Sequence, residues 1–145
     1  MRYFFDTSAL VSAWLEDDKD HEWAYNQYTN AQESRGAGFG NSGVIVSSIL
    51  KYELSKAFTY QKNPRIASST QIVEIESCDQ IDVTADTLLA AAELMKSHNL
   101  QSLDAIQLAC AVEAKRKYME EVVFVTKDKK LGNVAQKIGL VLAFP

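Results

Sequence analysis

Three runs in this chain are apolar without the alternation of a half-exposed strand: Tyr3-Phe4-Phe5, Val44-Ile45-Val46 and Val122-Val123-Phe124-Val125. A strand that is apolar at successive positions turns hydrocarbon to both faces of its sheet, so both faces must be covered. Each run is followed by a segment with helical character, and such alternation yields a parallel sheet between helical layers. Gln80–Val83 and Leu140–Phe144 read as two shorter strands, giving five. At 145 residues the chain suits one domain with a single core, spanning residues 1–145.

Between the strands, Ala9–Leu15 and His21–Gln32 read as helices separated by the acidic turn Glu16-Asp17-Asp18-Lys19-Asp20, which reads as solvated and N-capping. Ser34–Gly43 is Gly-rich, but a helix precedes it and a strand follows, the reverse of a phosphate-binding loop, so a flexible surface loop is expected. A helix over Ser48–Gln61, capped by Ser47 or Ser48, precedes Asn63-Pro64. Further helices are expected over Ile66–Glu76, Leu88–Ser97 (capped by Thr84–Thr87), from Ser102 to the basic Lys115-Arg116-Lys117, and over Asp128–Ile138, with Gly139 as terminator.

Composition excludes several classes. No apolar run approaches the roughly 20 residues that span a bilayer, and Asp6 interrupts the opening run before a secretory leader forms, so a cytoplasmic setting is expected. Cys78 and Cys110 lack metal-ligand spacing, and Cys110 sits in an apolar helix as core filler. The net charge of −4 argues against a general polyanion binder. Setting aside four carboxylates committed to a cation site leaves 15 acids against 15 bases, so a locally held nucleic acid is compatible with it.

Those four acids are Asp6, Glu53, Asp104 and Asp128. Asp6 ends the first strand just before a helix, where ligand crevices form in open α/β sheets, although a helix N-cap alone accounts for it equally well. Asp128 repeats the pattern after the fourth strand, in Val125-Thr126-Lys127-Asp128. Glu53 falls at ~100° per residue inside the apolar arc of Leu50, Leu54, Ala57 and Phe58, where a carboxylate is rare unless paired or ligating. Asp104 opens a helix that is apolar nearly all round, on a face with Leu108, Ala111 and Val112; a first-turn acid complementing the dipole is its simpler reading. Gathered together, four carboxylates repel unless a hard divalent cation, Mg²⁺ or Mn²⁺, relieves them. Such an ion activates water against a phosphodiester, so nucleic-acid hydrolysis is the matching chemistry. Thr7, Ser8 and Thr126 would orient carboxylates or hold the phosphate, and Lys127, Lys129 and Lys130 would touch the backbone unless they are simply a solvated helix start.

With these residues in view, the sequence resembles the PIN-domain ribonucleases, and among them the toxin subunits of VapBC-type toxin–antitoxin modules. Phe5-Asp6-Thr7-Ser8-Ala9-Leu10, Lys51-Tyr52-Glu53-Leu54, Leu103-Asp104-Ala105-Ile106-Gln107-Leu108-Ala109 and Val125-Thr126-Lys127-Asp128-Lys129-Lys130-Leu131 carry the resemblance in order along the whole chain. It implies a three-layer α/β/α sandwich with a parallel five-stranded sheet of order 3-2-1-4-5. It also implies Mg²⁺- or Mn²⁺-dependent cleavage of single-stranded RNA, a homodimer, and an antitoxin protein as partner. Asp6 and Asp104 would be metal ligands, Asp128 would hold the metal directly or through water, and Glu53 would position or activate the attacking water. The Gly-rich loop lengthens the usual spacing between Asp6 and Glu53.

Two other classes fit parts of the pattern. A haloacid-dehalogenase-like phosphohydrolase would use Asp6 as nucleophile, but would carry a second Asp where Ser8 stands. A receiver-like phosphoacceptor would want paired acids there, and a catalytically inactive PIN-like binding module would have lost at least one of the four acids.

Overall fold

The computed structural model describes residues 1–34, 43–61 and 74–145. Its strands are β1 (Arg2–Phe5), β2 (Val44–Ser47), β3 (Asp79–Ile81), β4 (Val122–Val125) and β5 (Val141–Ala143). Its helices are α1 (Thr7–Trp14), α2 (His21–Glu33), α3 (Leu50–Gln61), α4 (Ala85–His98), α5 (Ser102–Tyr118) and α6 (Lys129–Lys137). Residues 74–77 add a helical turn. The strands form one parallel sheet of order β3-β2-β1-β4-β5, the order expected.

The period-2 geometry of the strands divides the core. Phe4, Ile45, Ile81 and Phe124 face α4, α5 and α6, packing with Ala91, Ala105, Leu108, Leu131 and Val134. Their neighbours Phe5, Val44, Val46, Val123 and Val125 face the other way, onto Ala9, Leu10, Ala24, Tyr28 and Leu50 of α1, α2 and α3. Phe4 and Phe124 stack across β1 and β4 with centroids 5.9 Å apart. A Phe→Ala change at either would cost about 3–5 kcal/mol, the lost burial of the ring plus the cavity it leaves.

Several local expectations shift. α3 begins two residues later than expected: Ser47 Oγ accepts from the Ile49 amide at 3.3 Å, while Ser48 Oγ instead accepts from Val83 N at 3.0 Å, tying β2 to the end of β3. α4 begins at Ala85, with Thr84 and Thr87 in a reciprocal capping box. Gly43, at the edge of the Gly-rich segment, is a packing residue, since a Cβ there would stand 2.0 Å from the Ala31 carbonyl oxygen. The expected loop over residues 35–42, most of the expected helix over Ile66–Glu76, and the side chains of Ala57 and Phe58 lie outside what the structure describes. Among the described residues no helix is long and apolar enough to cross a membrane.

Candidate active site

The sheet order makes β1 and β4 neighbours while their connections run to opposite sides, which opens a crevice beyond their carboxyl ends. Phe5 pairs with Val125, and the Asp6 amide donates to the Val125 carbonyl at 3.1 Å. Asp6 and Thr126 therefore leave the sheet side by side. Asp6 is 6% exposed. Its Oδ1 accepts from the Ala9 amide at 2.8 Å and from Ser8 Oγ at 2.9 Å, and its Oδ2 accepts from Thr126 Oγ1. The capping reading of Asp6 therefore holds, and it leaves the second carboxylate oxygen to other partners. One oxygen caps α1, and the other, tied to the end of β4, keeps lone-pair capacity for a further contact.

Thr126 is fully buried and bridges two acids, donating to Asp6 and accepting from the Asp128 amide at 3.0 Å. Asp128 is exposed and caps α6 through Leu131 N at 2.9 Å. Across the crevice, Thr7 Oγ1 donates to Glu53 Oε1 at 2.8 Å. Gln107, 3% exposed in the apolar α5, donates through Nε2 to the same Glu53 oxygen and to Thr7 Oγ1. Glu53 Oε1 is thus fixed by two donors. Gln107 was not singled out in the sequence; its signal is a polar residue one helical turn from Asp104 on a buried face.

Asp104 carries no cap: the N-cap of α5 is Gln101, without a side-chain bond. It makes no capping bond after Ser102, but it stands in the first turn of α5, so its simpler reading as an acid complementing the helix dipole holds. Its surroundings are only partly as expected, with Leu108 and Ala111 fully buried but Val112 42% exposed. Burial, then the charges of Asp128 and Glu53, push the Asp104 carboxyl above its usual range, against the opposing pull of Lys130. Burial likewise raises Asp6, outweighing the hydrogen bonds from Thr126, Ala9 and Ser8, and the charge of Asp104 adds to the rise. Asp104 is therefore the electrostatic hub, feeling or acting on each of the other three acids.

Among the described residues no group of three His, Cys, Asp or Glu side chains stands ready to enclose a metal ion. The four acids are coupled without forming a closed cage. Their donors are all hard oxygens, which suits a cation that takes one or two carboxylates and completes its shell with water and substrate oxygens, as Mg²⁺ does.

The acidic turn differs from expectation. It is not simply solvated: Asp18 and Asp20 each lie 3.3 Å from Lys127 Nζ, which also donates to Ser12 Oγ at 2.7 Å. Lys127 is consequently committed within the protein and is withdrawn from the lysines expected to meet a backbone. Lys130 Nζ donates to the Asn99 carbonyl at 2.6 Å.

The PIN domain family profile matches residues 3–137. The chain is similar to Ribonuclease VapC47 of Mycobacterium tuberculosis (strain CDC 1551 / Oshkosh), at 27% identity over 142 residues, covering 98% of this chain and 96% of that one. Its fold is similar to the crystal structure of VapBC2 from Rickettsia felis bound to a DNA fragment from their promoter, with a TM-score of 0.65, 19% identity, and coverage of 99% and 98% of the two chains. It is also similar to a toxin–antitoxin complex from Klebsiella pneumoniae, with a TM-score of 0.55, 19% identity and 88% coverage of each chain.

Proposed function

This chain belongs to the PIN-domain family, and on that premise we propose that it is a ribonuclease that hydrolyses phosphodiester bonds in single-stranded RNA with Mg²⁺ or Mn²⁺, as the toxin of a toxin–antitoxin pair. What carries the reading is the hydrogen-bonded network that joins Asp6 to Asp128 through Thr126 and ties Glu53 to Thr7 and Gln107; the raised carboxyls of Asp6 and Asp104 support it. A related chain bears the name ribonuclease, and two similar folds come from toxin–antitoxin assemblies, which supports an antitoxin protein as partner. A homodimer is part of the same reading.

Asp6, Asp104 and Asp128 would hold the cation. When bound there, it supplies charge neutralisation and Lewis acidity at the scissile phosphate. The protein's own groups do the rest. Thr126 and Ser8 fix the Asp6 carboxylate in one orientation. Thr7 and Gln107 occupy Glu53 Oε1, which leaves Oε2 to orient the attacking water and take its proton. The water oxygen joins phosphorus as the P–O bond to the leaving nucleoside breaks, and the leaving oxygen takes up a proton from solvent.

The test is incubation of the purified protein with single-stranded RNA in Mg²⁺, in Mn²⁺ and in EDTA. Cleavage is expected with either metal and not in EDTA, and Asp6→Asn and Asp104→Asn are each expected to abolish it. Full activity in either variant overturns the assignment of that residue. Release of phosphate from small phosphoesters without cleavage of RNA overturns the nuclease reading.

A further inference from the structure

Beside the carboxylates lies a cleft of about 710 Å³, lined by Lys96, Ser97, His98 and Asn99 at the end of α4 and by Lys129, Lys130, Asn133, Val134 and Lys137 of α6. It contains four lysines and a histidine and no acid, in a chain whose net charge is −4. Among the side chains that the structure describes, five of the seven bases outside the cleft are paired with acids. Arg2 pairs with Asp79, Lys51 with Glu76, Lys115 with Glu121, Arg116 with Glu113, and Lys127 with Asp18 and Asp20. Among the described residues Lys96, Lys129 and Lys137 have no carboxylate partner. By contrast, the 750 Å³ groove lined by residues of α4 and α5 mixes Asp82, Asp86, Glu93 and Glu113 with Arg116 and Lys117.

Complementing the helix dipoles accounts for Lys96 and His98 in the last turn of α4 and for Lys137 in that of α6. It does not account for their opening onto one acid-free cleft. Lys129, Asn133 and Lys137 recur every four residues, so they line one face of α6 over about 12 Å. The cleft begins next to the reactive centre, since Lys129 and Lys130 directly follow Asp128 and the charge of Lys130 acts on Asp104.

We propose that this cleft holds the phosphodiester backbone of the RNA adjoining the bond to be cut, with Lys96, Lys129 and Lys137 as phosphate contacts and Asn133 as a neutral donor between them. The assignment rests on the nuclease reading for the substrate's identity, but its geometry is independent of the chemistry. Uncompensated lysines without a base-reading pocket bind the backbone and not the sequence, so the contact should be general and salt-sensitive.

The experiment is fluorescence anisotropy of labelled single-stranded RNA in EDTA, where nothing is cut, across a salt series, with wild-type protein and with Lys96→Gln/Lys137→Gln. Both side chains are exposed, so the fold should be unaffected. The double variant is expected to bind roughly three- to tenfold more weakly, equally for unrelated sequences, with the slope of log affinity against log salt flatter by about 1.4. Lys96→Arg/Lys137→Arg should bind like wild type. Unchanged affinity and slope in the glutamine variant overturns the proposal, as it would if an acidic protein partner filled the cleft instead. Wild-type protein that does not bind RNA in EDTA also overturns it. If RNA binds and the variant loses it, but no cleavage follows on adding Mn²⁺, the cleft stands and the nuclease reading fails.

Discussion

Gln107 donates to Glu53 Oε1 from the opposite helix, so that the side-chain amide of α5 sets the orientation of the carboxylate of α3. The bond crosses the crevice and reaches Thr7 as well, at 3.0 Å. A residue that aims another one acts on turnover more than on substrate capture. Gln107→Leu is therefore expected to lower kcat for RNA about 10- to 100-fold with little change in KM. Its own Oε1 is buried without a partner, so the leucine variant should lose little stability or none. Steady-state kinetics with a thermal melt checks both; a fall in Tm that accounts for the lost activity would assign Gln107 a purely structural role.

Thr126 serves Asp6 and Asp128 with one hydroxyl. Thr126→Val keeps the shape and removes the donor, leaving the buried Asp6 carboxylate short of a bond. A loss of about 1–3 kcal/mol in stability is expected, with an activity loss of about 10- to 100-fold. Thr126→Ser should recover most of both, as denaturant melts and RNA cleavage would show.

Much of this was legible in the residues. The strands announced themselves because Phe4-Phe5 and Val122–Val125 leave no polar face, and that pattern specifies two covering layers. Asp6 and Asp128 stood out because each ends an apolar run after or before a hydroxyl. What the pattern does not carry is pairing across long separations. Lys127 meets Asp18 across 109 positions, and nothing periodic marks a Coulombic partner so far away. Ser48 looked like a cap because serine favours caps, but the amide of Val83, brought close by sheet pairing, competed for its hydroxyl. Gln107 was hidden by its apolar neighbours, which argue for core and say nothing about what one amide touches.

The raised carboxyl of Asp104 has a consequence for stability. Its folded form holds its proton to higher pH than the unfolded chain does, so stability from this group is complete below the unfolded value of 3.8 and is lost as pH rises through the folded one. Asp104→Asn removes that loss. In EDTA at neutral pH it is expected to raise Tm by a few degrees while abolishing cleavage, and the gain should vanish near pH 3. Melts at the two pH values decide it; an equal or lower Tm at neutral pH contradicts the burial and repulsion acting on this acid.

Lys127 anchors the acidic turn to the end of β4 through Ser12, Asp18 and Asp20. The three charged side chains are about one-fifth exposed, Lys127 and Asp18 both at 22%, so salt screens them only in part. Lys127→Met should cost about 1 kcal/mol, less at high salt. Melts at low and high ionic strength test the pairing: a cost that does not shrink with salt assigns the loss to the hydrogen bond with Ser12 instead.

Because no three acids among the described residues form a ready cage, a divalent ion should bind the protein weakly alone and more tightly beside a phosphodiester. Mn²⁺ titration of the RNA-free protein is expected to raise Tm progressively, reaching about 2.7 kcal/mol of stabilisation only at 100-fold excess over Kd. In Asp104→Asn the repulsion that the ion relieves is already reduced and a donor is missing, so the Mn²⁺ response should be small or absent. Adding a non-cleavable single-stranded analogue should shift the wild-type response to lower Mn²⁺ concentration, since substrate oxygens then complete the shell. A response identical in wild type and Asp104→Asn would remove the cation from this site and leave the four acids with no shared purpose.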